Sequence, residues 1–265
     1  RLSREELEKE AGYLAGQGFA HILILTGCSR SATSVEWIAE CVSVLKPYFP
    51  SISIEVYALT RQEYSQLVEA GVDGLTIYQE TYDRKMYEYL HPSGPKADYD
   101  FRLTAPDRGA LAGMRALNVG ALLGLSDWRV DVFTMALHAR YLQDRYPGAE
   151  VGVSLPRIRP HEGRFTPACE VSDAELVQII TALRLYLPRA GITISTRENA
   201  RLRENLLPLG VTRISAGSST AVGGHTLGDP GCDQFTIADE RDLGEIKKML
   251  RSKGYQSVHQ DWIRI

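Results

Sequence analysis

The chain has 265 residues, of which 44% are hydrophobic and 24% charged, with a net charge of −3. That composition builds a buried core rather than a disordered chain, and the length suits one large α/β domain or two small ones. The mild negative charge and the lack of any lysine–arginine run argue against nucleic acid or an anionic membrane as partner. No apolar stretch approaches the roughly 20 residues of a membrane span.

The first element is a charged amphipathic helix from Arg4 to about Gln17, with no signal-peptide features. The chain starts at Arg1, not methionine, which leads us to expect further sequence upstream. "HILILTG" (His21–Gly27) reads as a strand, "SVEWIAECVSVLKPYF" (Ser34–Phe49) as a helix and "ISIEVYAL" (Ile52–Leu59) as a strand. The helix Arg61–Gly71 stops on a glycine and leads to the strand "GLTIYQET" (Gly74–Thr81). After a polar excursion, "DYDFRLTAPDRGALAGMRAL" predicts one helix running into the strand "NVGALLGL" (Asn118–Leu125). A long helix from Trp128 to about Tyr146 leads to "EVGVSL", and "SDAELVQIITALRLYLP" opens with a capping serine and a carboxylate three residues on. Then follow the strand "GITIST", the helix "ARLRENLLPLG", the strand "TRISAG" and a last helix, "ERDLGEIKKMLRSKG".

Seven short β-branched strands joined by helices, read as lacking polar alternation, predict a parallel sheet covered on both faces. Regular repetition favours a (β/α) barrel over an open seven-stranded sheet, and a full barrel has eight strands. The expectation is an incomplete TIM-type barrel whose first strand lies upstream of Arg1. Cys28, Cys41, Cys169 and Cys232 are far apart and form no C-x-x-C pair, so a reduced, cytoplasmic thiol set is expected and zinc is not.

Barrel chemistry gathers at the C-terminal ends of the strands. Here those ends read "LTGCSR", "YQETY", "GLSDWR", "SLPRIRP", "STREN" and "SAGSSTAVGGH", with little bland turn sequence among them. Glu80 either pairs with Arg102 or Arg108 or accepts hydrogen bonds from a ligand. Arg157 and Arg159 lie on one face of an extended segment; either Glu80 or Glu198 ties them down, or they grip a carboxylate bidentately. Ser195 and Arg197 offer a hydroxyl and a guanidinium on one face, against a reading as helix cap and solvated cation. "AGSSTAVGGH" is a weak phosphate cradle. His138 reads as a packed helix histidine unless it faces the site, while His91, His161 and His225 form no ligand spacing.

Together, "YQETY", "HPSGPKADYDFRLTAPDR", "GALLGLSDWRVD", "SLPRIRP", "LVQIITALRL", "STRE" and "ISAGSST" resemble the ThiH family, the 2-iminoacetate synthases (tyrosine lyases) of the radical SAM superfamily. The likeness runs to the terminal "GYQSVHQDW"; the maturase HydG shares part of it. It implies a single partial-barrel domain over residues 1–265, with a biotin- and thiamin-synthesis-associated region at about 101–228. It implies cleavage of the Cα–Cβ bond of tyrosine to 2-iminoacetate and p-cresol, with S-adenosylmethionine and a 4Fe–4S cluster as cofactors. The thiazole synthase ThiG would take the product, and flavodoxin or ferredoxin would supply electrons. By resemblance Ser195, Arg197, Arg157, Arg159 and His138 fall on the substrate side. Glu80, Gly27, Cys28 and Arg108 fall on the S-adenosylmethionine side.

Two features depart from the family pattern. No C-x-x-x-C-x-x-C is present, so this chain has no cluster ligands and is expected to be inactive alone. The family's T-G-E reads Thr26-Gly27-Cys28, which removes an expected carboxylate partner of the S-adenosylmethionine ammonium. Rival readings are a HydG-like tyrosine lyase, a metal- or Schiff-base-dependent barrel lyase acting on a phosphorylated substrate, and a non-catalytic barrel binding an amino-acid-like ligand. The second would want a strand-end lysine, and the strand ends have none.

Overall fold

The computed structural model describes residues 1–158, 167–219, 221–227 and 237–259. Seven parallel strands lie side by side in chain order: β1 (His21–Leu25), β2 (Ser51–Glu55), β3 (Gly74–Glu80), β4 (Ala116–Ala121), β5 (Glu150–Ser154), β6 (Gly191–Ile194) and β7 (Arg213–Ile214). The sheet curls into an incomplete TIM-type barrel with β1 and β7 as its edges.

The strands do alternate, contrary to the sequence reading. Ile52, Ile54, Leu75, Ile77, Leu117, Val119, Val151, Val153, Ile192 and Ile194 are at most 4% exposed and join the core beneath the helices. Each such burial is worth roughly 1.5–3 kcal/mol. Their neighbours at i ± 1 face the lumen and are polar or small: Ser53, Glu55, Thr76, Tyr78, Asn118, Gly120, Gly152, Ser154 and Thr193. This is the alternation of a barrel wall, dry outside and wet inside. The pattern is plain in "SISIE" and hidden in "HILIL", where both faces are apolar.

Helices α1 (Arg4–Gly16), α2 (Val35–Leu45) and α3 (Arg61–Ala70) cover the first strands. α2 buries Val35, Ile38, Val42 and Leu45, one stripe of a 3.6-residue period. α3 ends on Gly71, whose φ of +129° no side chain tolerates well. The one helix expected over "DYDFRLTAPDRGAL" is two, α5 (Tyr99–Leu103) and α6 (Ala105–Leu111), with α4 (Arg84–Leu90) ahead of them. Pro106 explains the break: it fits only the first turn of a new helix. The remaining helices are α7 (Trp128–Arg145), α8 (Asp173–Tyr186), α9 (Ala200–Leu206) and α10 (Leu243–Ser252).

Capping boxes fix the starts of α1, α3, α8 and α10 through Ser3/Glu6, Thr60/Glu63, Ser172/Glu175 and Asp242/Glu245. Beyond β7 the chain returns to α1. There His225 Nδ1 lies 2.6 Å from Glu10 Oε1, the Thr226 hydroxyl donates to Glu10 Oε2 at 2.7 Å, and Tyr13 stacks on His225. Among the described residues no helix is long and apolar enough to cross a membrane.

Candidate active site

The strand ends bring two kinds of charged side chain to the same rim. On the β2–β3 side stands Glu80, a non-glycine residue of positive φ (+70°), at a bulge where β3 slips against β4. Such strain persists where surrounding contacts over-determine it. Lys96 Nζ donates to Glu80 Oε1 at 2.6 Å, and Arg102 Nη2 to the same oxygen at 3.1 Å. Arg102 Nε also donates to the Tyr78 carbonyl at 2.7 Å, which locks the bulge. Burial alone would raise the Glu80 carboxyl, but Lys96 and Arg102 outweigh it and hold the group below its ordinary range. Lys96 comes from the "HPSGPK" loop and had no part in the sequence reading.

Glu55 ends β2, level with Leu25 of β1 and on the lumen face with Ser53. Its backbone carbonyl accepts from Thr26 N–H at 3.3 Å. Burial, reinforced by the negative charge of Glu80, pushes the Glu55 carboxyl up to about 7; Arg102, Lys96 and Arg197 pull the other way. On β3, the next strand, Tyr78 lies over its register partner Gly120 of β4, where an added Cβ would sit 2.7 Å from the ring. The Tyr78 hydroxyl reaches Ser154, and burial raises the phenol above its usual range.

The β5–β6 side is different. Arg157 donates from Nε to Glu198 Oε1 at 2.9 Å, from Nη1 to the Val171 carbonyl at 2.8 Å, and from Nη2 to Asp173 Oδ1 at 2.8 Å and to Glu198 Oε2. Both Arg157 and Glu198 are buried. Of the two readings the sequence left open, these bonds match the one in which Glu198 ties Arg157 down, and they brace the β5 loop to the β6 loop and the start of α8. Arg159 and Cys232 lie outside the described residues.

A second brace follows. Arg203 is fully buried and binds Asp239 and the Ser215 carbonyl, and Arg241 also binds Asp239, at 2.7 Å. Burial opposes ionisation of Asp239, yet Arg241 and Arg203 draw it down to about 2.

The other expected residues divide the same way. Ser195 and Arg197 are half-buried at the end of β6, with Arg197 N–H donating to Ser195 Oγ at 3.3 Å. Arg197 lies within the field of Glu55 and Tyr78, so it shares the lumen with them. Gly27 and Cys28 are exposed on the loop after β1, near the buried, unpartnered Thr26 hydroxyl.

Arg108 is spent on the carbonyls of Leu59 and Phe101, at 2.7 Å and 2.6 Å, and on the Thr104 hydroxyl, so it braces α6. His138 sits on α7 with Nδ1 3.0 Å from the Tyr82 hydroxyl, and burial lowers it to about 4. It belongs to the helix layer, where its ring meets Tyr82 edge-on.

Comparison with known proteins decides the family. The chain is 36% identical over 262 residues, 98% of its length, to the 2-iminoacetate synthase of Escherichia coli, and spans 70% of that protein. The chain belongs to the 2-iminoacetate synthase family. Its residues 154–256 match the Biotin and Thiamin Synthesis associated domain; the sequence expectation had placed that region at about 101–228. The FeFe-hydrogenase maturase HydG superposes with a TM-score of 0.91 at 31% identity, over 98% of this chain and 59% of that one. Methylornithine synthase (PylB) shares the fold, with a TM-score of 0.78 at 20% identity.

Relatives of this radical SAM group use S-adenosylmethionine and a 4Fe–4S cluster, and the two fit this chain differently. Cys28 is exposed, Cys41 is buried in α2 with its thiol pushed up to about 11, and Cys169 is half-buried far along the chain. No three His, Cys, Asp or Glu among the described residues could hold a metal ion together. A cluster has no ligand set among the described residues. Glu55, Glu80, Arg102, Lys96 and Arg197 lie within one another's electrostatic reach, charges of both signs of the kind a zwitterionic ligand calls for.

Proposed function

We propose that this chain is the ligand-binding barrel of a radical SAM lyase that cleaves the Cα–Cβ bond of tyrosine, giving 2-iminoacetate and p-cresol. The observation that carries the reading is the family match joined to a polar lumen whose charges are of both signs. Tyrosine and S-adenosylmethionine each present a carboxylate and an ammonium. Arg197 and Ser195 suit the tyrosine carboxylate, since a guanidinium fork and a hydroxyl are matched donors for it. Glu80, held ionised by Lys96 and Arg102, suits ribose hydroxyls of S-adenosylmethionine, and Gly27 and Cys28 lie on that side of the rim. S-adenosylmethionine supplies the hydrogen-abstracting power of such enzymes. The chain's own part is to hold the amino acid rigidly and exclude water from it. Transfer of 2-iminoacetate to the thiazole synthase ThiG and electron supply by flavodoxin or ferredoxin belong to the same reading.

The test joins this chain to the segment of the E. coli relative that it does not match, reconstituted anaerobically with iron and sulfide. Reduction in the presence of S-adenosylmethionine and L-tyrosine should give 5′-deoxyadenosine and p-cresol together. Formation of 5′-deoxyadenosine with no p-cresol would remove tyrosine as the substrate.

A further inference from the structure

Glu55 is a charged side chain at this rim that the described residues leave without a hydrogen-bond partner. Its carboxylate makes no hydrogen bond or ion pair with any described residue. Its position is nonetheless fixed: it ends a strand, stands in register with Leu25, and its carbonyl is tied to Thr26 N–H. Of the cations in its field, Lys96 and Arg102 bond Glu80 instead. A half-buried carboxylate beside a second carboxylate, with its lone pairs unused, costs free energy that the fold has an easy way to avoid. Glutamine would fill the same space with no charge.

We propose that Glu55 receives the α-ammonium of the amino-acid ligand, opposite Arg197, which takes its carboxylate; this rests on the reading of the lumen as an amino-acid site. Lys96 and Arg102 already answer Glu80, so the Glu55 carboxylate is the one left for a ligand cation; an ammonium gives it a hydrogen bond charged on both partners, which a hydroxyl or an amide does not. The elevated proton affinity of Glu55 is what an anion waiting for a cation displays. The inference turns the lumen into a site selective for α-amino acids over their deaminated counterparts. An unpaired polar partner rejects the analogue that lacks its group more strongly than lost apolar contact does.

The test is calorimetric titration of the 265-residue chain and its Glu55→Gln variant with L-tyrosine and with 3-(4-hydroxyphenyl)propionate, which lacks the amino group. The chain should bind tyrosine roughly tenfold or more tightly than the propionate, and Glu55→Gln should remove that preference, as expected for a charge-assisted hydrogen bond. Affinity for the propionate should stay within about twofold, since only the ammonium contact is lost. Equal weakening of both ligands, or no change in either, overturns the role of Glu55 while tyrosine binding still supports the proposed function. Failure of the unaltered chain to bind tyrosine overturns both. Glu55→Asp, which keeps the charge on a shorter stem, guards against misfolding: it should retain part of the preference, and full loss of preference in a folded Asp variant counts against the ammonium contact.

Discussion

Glu55 and Arg157 stand at the same rim, one at the end of β2 and the other just past β5, yet the protein treats them oppositely. Arg157 has its Nε, Nη1 and Nη2 groups all bonded to the protein, whereas Glu55 has no hydrogen-bond partner among the described residues. Both are charged, both are at least partly buried, and both follow an apolar strand. A strand-end charge therefore does not mark a ligand site by itself; what marks it is whether the fold has already used the group. By that criterion Glu55, at the end of β2, marks the site, and Arg157 is scaffold.

Removing a brace should do most damage. Arg157→Met removes the guanidinium bonded to buried Glu198, to Asp173 and to the Val171 carbonyl, and should cost ~3–5 kcal/mol, read as a lowered denaturant midpoint. Adding Glu198→Leu should recover much of the loss, because a buried pair is worth little once both members go. A Met variant as stable as the parent would place Arg157 back among ligand-binding candidates.

Next in size is Gly120→Ala. The added methyl meets the Tyr78 ring and the Ser154 carbonyl, each at 2.7 Å, and should cost ~1–3 kcal/mol as overpacking does. The same variant should weaken tyrosine binding.

Glu55→Gln should act in the opposite direction, and only at higher pH. The folded carboxyl is raised from 4.5 to about 7, so the folded state holds its proton more tightly than the unfolded chain. Stability is then lost as pH climbs from about 4.5 through 7. Glu80 and Tyr78 of β3, Arg102 of α5, Lys96 ahead of α5 and Arg197 beyond β6 all face this group. Glutamine should therefore raise thermal stability by ~1–2 kcal/mol at pH 8 and change it little at pH 5. A braced carboxylate such as Asp239, held at about 2, would show the reverse dependence.

The smallest effect belongs to Arg140→Ala. It removes an exposed i,i+4 pair with Asp144 at 2.9 Å and should shift stability by no more than about 0.5 kcal/mol.

Much of the fold was legible in the sequence. The runs "SISIE", "GLTIYQE" and "GITI" read as strands because apolar residues recur between turn signals, and Ser172 with Glu175 announced α8 by its cap. The break at Pro106 was missed in the one-helix reading, although proline opens a helix more readily than it continues one. The site was harder to read. Arg157 meets Glu198 41 residues away, and nothing local distinguishes that pair from a free guanidinium. Glu80 finding Arg102 followed from their nearness in sequence, whereas Lys96 enters only through the turn that the 91–98 loop makes. Glu55 was passed over as the last residue of an ordinary strand. Its distinction, a lumen-facing carboxylate beside Glu80, needs the register of β1, β2 and β3 together.

The most direct measurement is a backbone amide chemical-shift titration of the isotope-labelled chain with L-tyrosine. The account predicts shifts at Glu55, Tyr78, Glu80, Ser195 and Arg197, with the amides around Arg157 and Arg203 nearly still. Shifts concentrated at Arg157, Asp173 and Glu198, with Glu55 and Arg197 silent, would contradict it.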